Sequence, residues 1–511
     1  MRIVAVVNAR RLRDGALEQF GFSDRGMTTT PASTPANTRF PALIESPVLG
    51  RVDMFDKLTT FGGVDAGRGD LRLINAGGVI DWLLTDYAVN GQQVLVYSGD
   101  DDALNFPGDY TLMHSARALA AVGGWDLVTI QLTDDLAKLK KSLLPNTYTG
   151  GNALPAGTEG LPSDIKGLRK PRVYGRVQNI SPYYVNTARL IYQISDRPCS
   201  VMAAYSRGVG WVAEAPYAAF ADLQNDALEP ANSKYKVYSG PEGCFVRLGS
   251  VPSGTFTVDA ETTETRCGEL LKTICIDAGV AQVNINSDDV AHVNIDTAPC
   301  GIWVTEDMTS LDAANQVASA SAVYFRFNRL GKLRMGRIEP ASGTPDYTIK
   351  PHYVVAMDVV ALNDTENGAP AGSVTVEYSR NYTVQNDLAD TAAQGRASFA
   401  AIEWRQATGA DYGIRNIYAD APDITVQSST LSESKAQELA STLLSQLSSR
   451  LALEVTIKID ESQMFEAIDI GNTVRLQYPR FGLHAGRNFV IIGIVYHSAA
   501  TEITLRLLGS E

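Results

Sequence analysis

Short apolar runs alternate with polar positions and turn residues over residues 1–110. That period of two predicts strands rather than helices, because successive side chains of a strand face opposite ways. A strand is predicted over residues 71–75, followed by the turn Ala76-Gly77-Gly78 and the apolar stretch 79–84. Asn90-Gly91 then separates that stretch from a strand over 92–97, as the positive φ angles of a hairpin turn favour Asn-Gly. Pro31 and Pro35 lack amide donors, so residues 28–38 read as an extended, exposed loop. Residues 61–70 form a second turn cluster. Leu136, Leu139 and Leu143 share one face of a helix predicted over 133–143.

Further along, strands are predicted within 171–182, 190–194, 237–248 and 254–259. Helices follow over 269–277, stopped by Gly279, and over 310–319. Residues 324–327 and 332–335 pair across the four-residue loop Asn328-Arg329-Leu330-Gly331. The pattern returns to β from 353 to 382. The strongest helix covers 431–449, with Thr430 and Glu433 as a capping box. Its Ala436, Leu439, Ala440, Leu443, Leu444 and Leu447 form one packing face. Strands over 455–459, 470–476, 489–495 and 503–508 close the chain, with Pro479-Arg480-Phe481-Gly482-Leu483 as a hairpin tip. The fold class expected is mainly β with some α (α+β): several barrel- or sandwich-like modules with a few packed helices. The Gly- and Pro-rich stretch 146–170 reads as the clearest linker. It divides the chain into a β-rich domain 1–150, a linker 151–170, a central α+β domain 171–345 and a β-rich domain 346–511.

The length of 511 residues suits about three to five folding units. Forty-four Lys and Arg stand against 57 Asp and Glu, a net charge of -13. A surface that tracks nucleic acid throughout is disfavoured, since phosphate contacts need cations. The N-terminal apolar run is too short for a secretory signal, and no stretch reaches the ~18 apolar residues of a membrane span, so a soluble protein made in the cytoplasm is expected.

Catalytic signatures are missing from the pattern. His114, His292, His352, His484 and His497 never stand four apart on a helix, and neither a His-Glu-x-x-His nor a Gly-x-Ser-x-Gly motif occurs. Gly208-Val209-Gly210 lacks the third glycine of a dinucleotide loop and reads as a turn. Asp100-Asp101-Asp102 and Asp288-Asp289 read as solvated turns rather than cation sites. Tyr183-Tyr184 reads as core or interface packing, and Arg480 as a loop charge or an interface anchor. Cys199, Cys244, Cys267, Cys275 and Cys300 are irregularly spaced. Buried free thiols are the first reading; Fe–S ligation by thiols converging in space is the alternative.

One resemblance goes further than these local patterns. The segment Lys170-Pro171-Arg172-Val173-Tyr174-Gly175-Arg176-Val177-Gln178-Asn179-Ile180-Ser181-Pro182, followed by Leu190-Ile191-Tyr192-Gln193-Ile194, resembles tail-tip or baseplate proteins of tailed bacteriophages. So do Phe61-Gly62-Gly63 and Asn75-Ala76-Gly77-Gly78-Val79-Ile80-Asp81. The closing blocks 469–476, 480–483 and 486–493 look like the last β module of tail hub proteins. The resemblance implies a non-enzymatic virion protein, commonly trimeric, that joins the tail tube and distal tail ring to a central fibre or tip. Distal tail, tape measure and fibre proteins would be its partners, and DNA would pass without being held. Some proteins of this class carry an Fe–S cluster. A hexameric distal tail ring is the nearest alternative, and a tail-associated enzyme that degrades cell wall or polysaccharide is the alternative of another class.

Overall fold

The computed structural model describes residues 2–56, 61–103, 105–337, 339–361, 369–448, 451–458, 467–497 and 502–509. Position 449 of the expected 431–449 helix, position 459 of the expected 455–459 strand and positions 362–368 of the expected 353–382 β region lie outside the described residues. The protein is mainly β, 41% strand and 17% helix, arranged in several separate sheets.

A 14-stranded sheet dominates. Its first strands are β1 (Arg2–Arg11), β2 (Leu17–Ser23), β3 (Ile44–Asp53), β4 (Arg68–Ile74), β5 (Gln93–Gly99), β6 (Tyr110–Gly123) and β7 (Leu127–Thr133). They run β2-β1-β5-β6-β7-β4-β3 across the sheet. The period of two is realised literally in β1. Ile3, Ala5, Val7 and Ala9 enter one core with Leu71, Val94 and Ile130, while Val4 and Val6 enter another with Phe40, Phe106 and Tyr110.

The central region is a sandwich of two five-stranded sheets. Its main strands are β8 (Arg172–Ile180), β9 (Ile191–Ser195), β10 (Ser200–Ser206), β11 (Lys234–Gly240), β12 (Gly243–Leu248) and β13 (Phe256–Glu261). Val177 and Val258 from one sheet meet Ile194 and Val246 from the other between the layers. Helices α1 (Cys267–Asp277) and α2 (Ser287–Val293), strand β14 (Gly301–Val304), helix α3 (Ser310–Ala318) and the hairpin β15 (Val323–Phe327) and β16 (Leu333–Arg337) follow. They fill the main core beneath the later strands of the large sheet. Residues 146–170 contain no regular strand or helix; buried Tyr148 and Ile165 pack them against Tyr217, Leu223 and Phe245.

The later part adds β17 (Val354–Val359), β18 (Ser373–Tyr378), helix α4 (Gln394–Ala400), β19 (Arg405–Ala410), β20 (Asp423–Gln427), helix α5 (Glu433–Ser448), β21 (Leu451–Lys458), β22 (Thr473–Leu476), β23 (Arg487–His497) and β24 (Glu502–Gly509). The apolar face of α5 covers the three-stranded sheet β19-β18-β20, as its spacing predicts. The large sheet then continues β3-β23-β24-β21-β17, so strands from early and late in the chain form one surface.

Five local expectations change. Residues 79–84 turn into a short helix, Asp81–Thr85, instead of a strand. Asn75 holds the turn: its side chain accepts from the Ile80 N–H at 3.0 Å and donates to Asp81 at 2.8 Å. The 133–143 helix is a tighter 3-10 turn, Asp135–Lys140, begun by Asp134, which accepts from the Leu136 N–H; a three-residue period still buries Leu136 and Leu139 together. The loop 28–38 is folded rather than extended, with Thr29 and Ser33 buried. Ser432 rather than Thr430 caps α5, accepting from the Lys435 N–H at 3.3 Å. The sheets form no closed barrel among the described residues. Helix α2, which the sequence pattern did not suggest, is started by Asn286, whose side chain accepts from the N–H groups of Asp288 and Asp289.

Candidate functional site

The chemically capable residues are spread over the fold. All five cysteines are buried and free. Cys199 and Cys244 belong to the sandwich core, whereas Cys267, Cys275 and Cys300 belong to the main core. Among the described residues, no group of three or more His, Cys, Asp or Glu side chains is placed to hold a metal ion. Asp101 pairs with Arg25 at 2.8 Å, and Asp289 accepts from Arg334 at 2.6 Å and from the Met335 N–H at 3.1 Å. Tyr184 stacks on Tyr192 with ring centres 4.3 Å apart, and Tyr183 meets Tyr148 edge-on. Arg207 and Gly208, both at positive φ, turn the chain between β10 and Val209-Gly210. Arg480 lies 5.1 Å from the centre of the Phe481 ring at the predicted hairpin tip.

What the structure does concentrate is polar chemistry at joints between sheets. Asn179, fully buried with φ 54°, interrupts the regular pairing of β8 with β13. Its N–H donates to Asp259 at 2.7 Å, and its side-chain amide donates to Asn381 and to the Thr383 carbonyl, both at 2.7 Å. Arg396 of α4 donates to both oxygens of Asp259 at 3.1 Å and to the Asn179 oxygen at 2.6 Å. Its guanidinium also lies 3.7 Å from the centre of the Tyr205 ring. Asn381 donates in turn to the Ala400 and Ile402 carbonyls. These side chains bond one another where the β sandwich meets α4, with only the Nε of Arg396 left without a partner in this set, so the joint is held by specific geometry as well as by burial. The sequence reading passed over this set; Asn at a break in an apolar strand pattern was the available signal.

A second joint lies between the first strands and the β15–β16 hairpin. Buried Asp134 accepts from the Gly67 N–H at 2.9 Å and the Leu136 N–H at 3.0 Å. Burial pushes its carboxyl up to about 6, against the opposing pull of those N–H groups and the Arg326 charge. Arg326 donates to the Asp65 carbonyl, and the hairpin tip reaches β6, where the Ser115 N–H donates to the Arg329 carbonyl at 2.7 Å.

Two clefts are also present. One, of about 430 Å³, lies between α3, α5 and the Arg380, Tyr382 and Trp404 side chains. The other, of about 400 Å³, is bordered by Asp289, His292, Arg334 and Glu339. At one end of the large sheet Leu12, Leu17, Val79, Leu119, Val122 and Trp125 are exposed, Trp125 by 93%.

No family model matches the chain, and no curated protein matches it. Among solved structures, the chain is similar to the 43 kDa tail protein of prophage MuSo2 from Shewanella oneidensis, with a TM-score of 0.44 and 10% identity over 99% of this chain and 98% of that one. A tail protein from Neisseria meningitidis gives 0.43 and 10% over 99% and 96%. A chain of the native gene transfer agent virion gives 0.42 and 13% over 68% and 86%.

Proposed function

We propose that this chain is a structural virion protein of a phage tail tip or baseplate. In this reading it is a hub that assembles as a trimeric ring, connects the tail tube and distal ring to a central fibre or tip, and lets DNA pass. One observation carries the reading: the sequence blocks that resemble tail hub proteins fall on the joints of this fold. Residues 172–180 are β8, which pairs with β13 and β14 and bears Asn179 of the polar joint. Asn75 and Asp81 fix the turn beneath the end of the large sheet. Residues 487–493 lie in β23, the strand that meets β3 and joins early to late sequence. A hub must transmit load between neighbours without internal play, and polar joints of specific geometry between sheets suit that task. The exposed apolar side chains at one end of the large sheet, Trp125 among them, suit contact with another protein surface. A net charge of -13 suits a channel that repels DNA phosphates.

Native mass measurement of the purified chain tests the assembly, with three copies expected. Six copies would favour the distal-ring alternative, and a monomer at every concentration would overturn the ring. Deleting the chain from a producing phage should yield particles without a tail-end ring, and intact infectious tails would refute the role. Clearing of host cell wall in a zymogram would overturn the non-enzymatic reading.

A further inference from the structure

Four of the five cysteines meet in twos, although no spacing in the sequence pairs them. Cys244 on β12 sits opposite Ser195 and Ser239 in the sheet. The Cys199 N–H donates to the Ser239 hydroxyl at 3.1 Å, which brings residue 199 beside Cys244. The Cys244 thiol then reaches the Cys199 carbonyl at 3.3 Å, and the two thiols face each other. The second pair forms where α1 begins. The Cys300 N–H donates to the Thr265 carbonyl at 2.9 Å, two residues before Cys267, and the Cys267 thiol, which also reaches the Val317 carbonyl at 3.4 Å, faces that of Cys300. Cys275, two turns further along α1, meets burial and Asp277 instead of a second thiol.

We propose that Cys199–Cys244 and Cys267–Cys300 are two latent disulfides, reduced while the chain is made in a reducing compartment and closed once it meets an oxidising one. The oxidant is a low-molecular-weight disulfide. One cysteine, as thiolate, attacks a sulfur of that oxidant, forming a mixed disulfide and expelling one oxidant thiol. The facing cysteine displaces the second oxidant thiol and completes the protein S–S bond. Each pair loses two electrons and two protons, and each oxidant disulfide becomes two thiols.

Burial governs the timing. All four side chains are at most 6% exposed. The facing thiol and burial push Cys199 and Cys267 well above the usual thiol range, which keeps them protonated and slow to attack in the closed fold. Oxidation therefore proceeds through transient opening of the core, and reclosure with the bond in place makes the next opening rarer. The links would close the segments 199–244 and 267–300 on either side of β13. The pairing is independent of the tail-hub reading.

The full chain, reduced and desalted, is incubated with excess glutathione disulfide in urea below its unfolding midpoint. Remaining thiols are then alkylated, and intact mass and peptide maps are recorded. Thiol alkylation of a parallel sample without oxidant confirms that the cores open under these conditions. The expected result is a fall of about 4 Da before alkylation, one alkylated thiol at Cys275, and peptide links 199–244 and 267–300. Cys244→Ala and Cys300→Ala should each abolish one link and leave the other, and Cys275→Ser should leave both. The oxidised chain should melt several degrees above the reduced one, reversibly with dithiothreitol. Retained thiols in the opened chain, glutathione adducts in place of internal links, or links through Cys275 would overturn the proposal.

Discussion

Replacing Arg396 with alanine removes the cation at the joint between the sandwich and α4. The Arg396 and Asp259 side chains are 10% and 16% exposed, so the carboxylate left behind gains little from water. Breaking such a pair on one side costs ~3 kcal/mol or more. Loss of the guanidinium from its place 3.7 Å from the Tyr205 ring centre adds about 1 kcal/mol. A total near 4 kcal/mol corresponds to roughly a thousandfold more frequent opening of the joint. Hydrogen exchange should therefore show backbone amides of residues 381–401 losing about three decades of protection in Arg396→Ala. Arg380→Ala is the control. Its pair with Glu403 is 43% and 48% exposed, and losing it should cost under about 1 kcal/mol. Adding Asp259→Ala to Arg396→Ala should recover part of the loss, because it removes the stranded carboxylate. Equal exchange in Arg396→Ala and Arg380→Ala would refute the reasoning.

Three further outcomes are expected. Ser432→Ala should weaken the start of α5 by about 1 kcal/mol, read as faster exchange in its first turn, whereas Thr430→Ala should leave the N–H of Lys435 satisfied. Asp134 has its folded carboxyl raised to about 6 from 3.8, so the native state binds more protons than the unfolded chain between those values. Stability from this group is present below about pH 4 and lost as pH rises through about 6, on the order of 3 kcal/mol. Urea titrations should show that slope diminished in Asp134→Asn. A Cβ at Gly175, where φ is 72°, would overlap the Cys300 carbonyl oxygen, so Gly175→Ala should cost more than ~3 kcal/mol; soluble protein with an unchanged melting temperature would contradict the close approach.

The elements that were legible in sequence are those whose signals are local. The apolar face of α5 and Gly279 after α1 each act within a few residues and appear where the pattern places them, whereas the expected hairpin forms one position out of register: Phe327 faces Leu333, so its loop is 328–332 rather than 328–331. The short helix at 81–85 was hidden because Val79, Ile80, Leu83 and Leu84 also read as a strand; Asn75 decides between them through contacts a run of hydrophobicity does not record. The polar joint was less legible still. Asn179 and Asn381 are 202 positions apart, and each alone is an ordinary turn residue. The two thiol pairs were equally invisible, since they depend on strand register for Cys244 and on where α1 packs beside residue 300 for Cys267, not on spacing.

The meeting of β3 with β23 also sets an order of events during synthesis. Asp53 pairs with Gly493, and the Arg506 guanidinium reaches Asp53 at 3.2 Å. Some 440 residues must therefore be made after β3 before its second neighbour exists. At about 5–20 residues per second that delay is roughly 20–90 s, long compared with the folding of a small domain. Until then β3 is held on one side only, by β4, and offers a row of unpaired amides to any passing chain. The seam that unites this molecule is thus the last part of it to form, and the nascent chain is most open to misassociation while it waits.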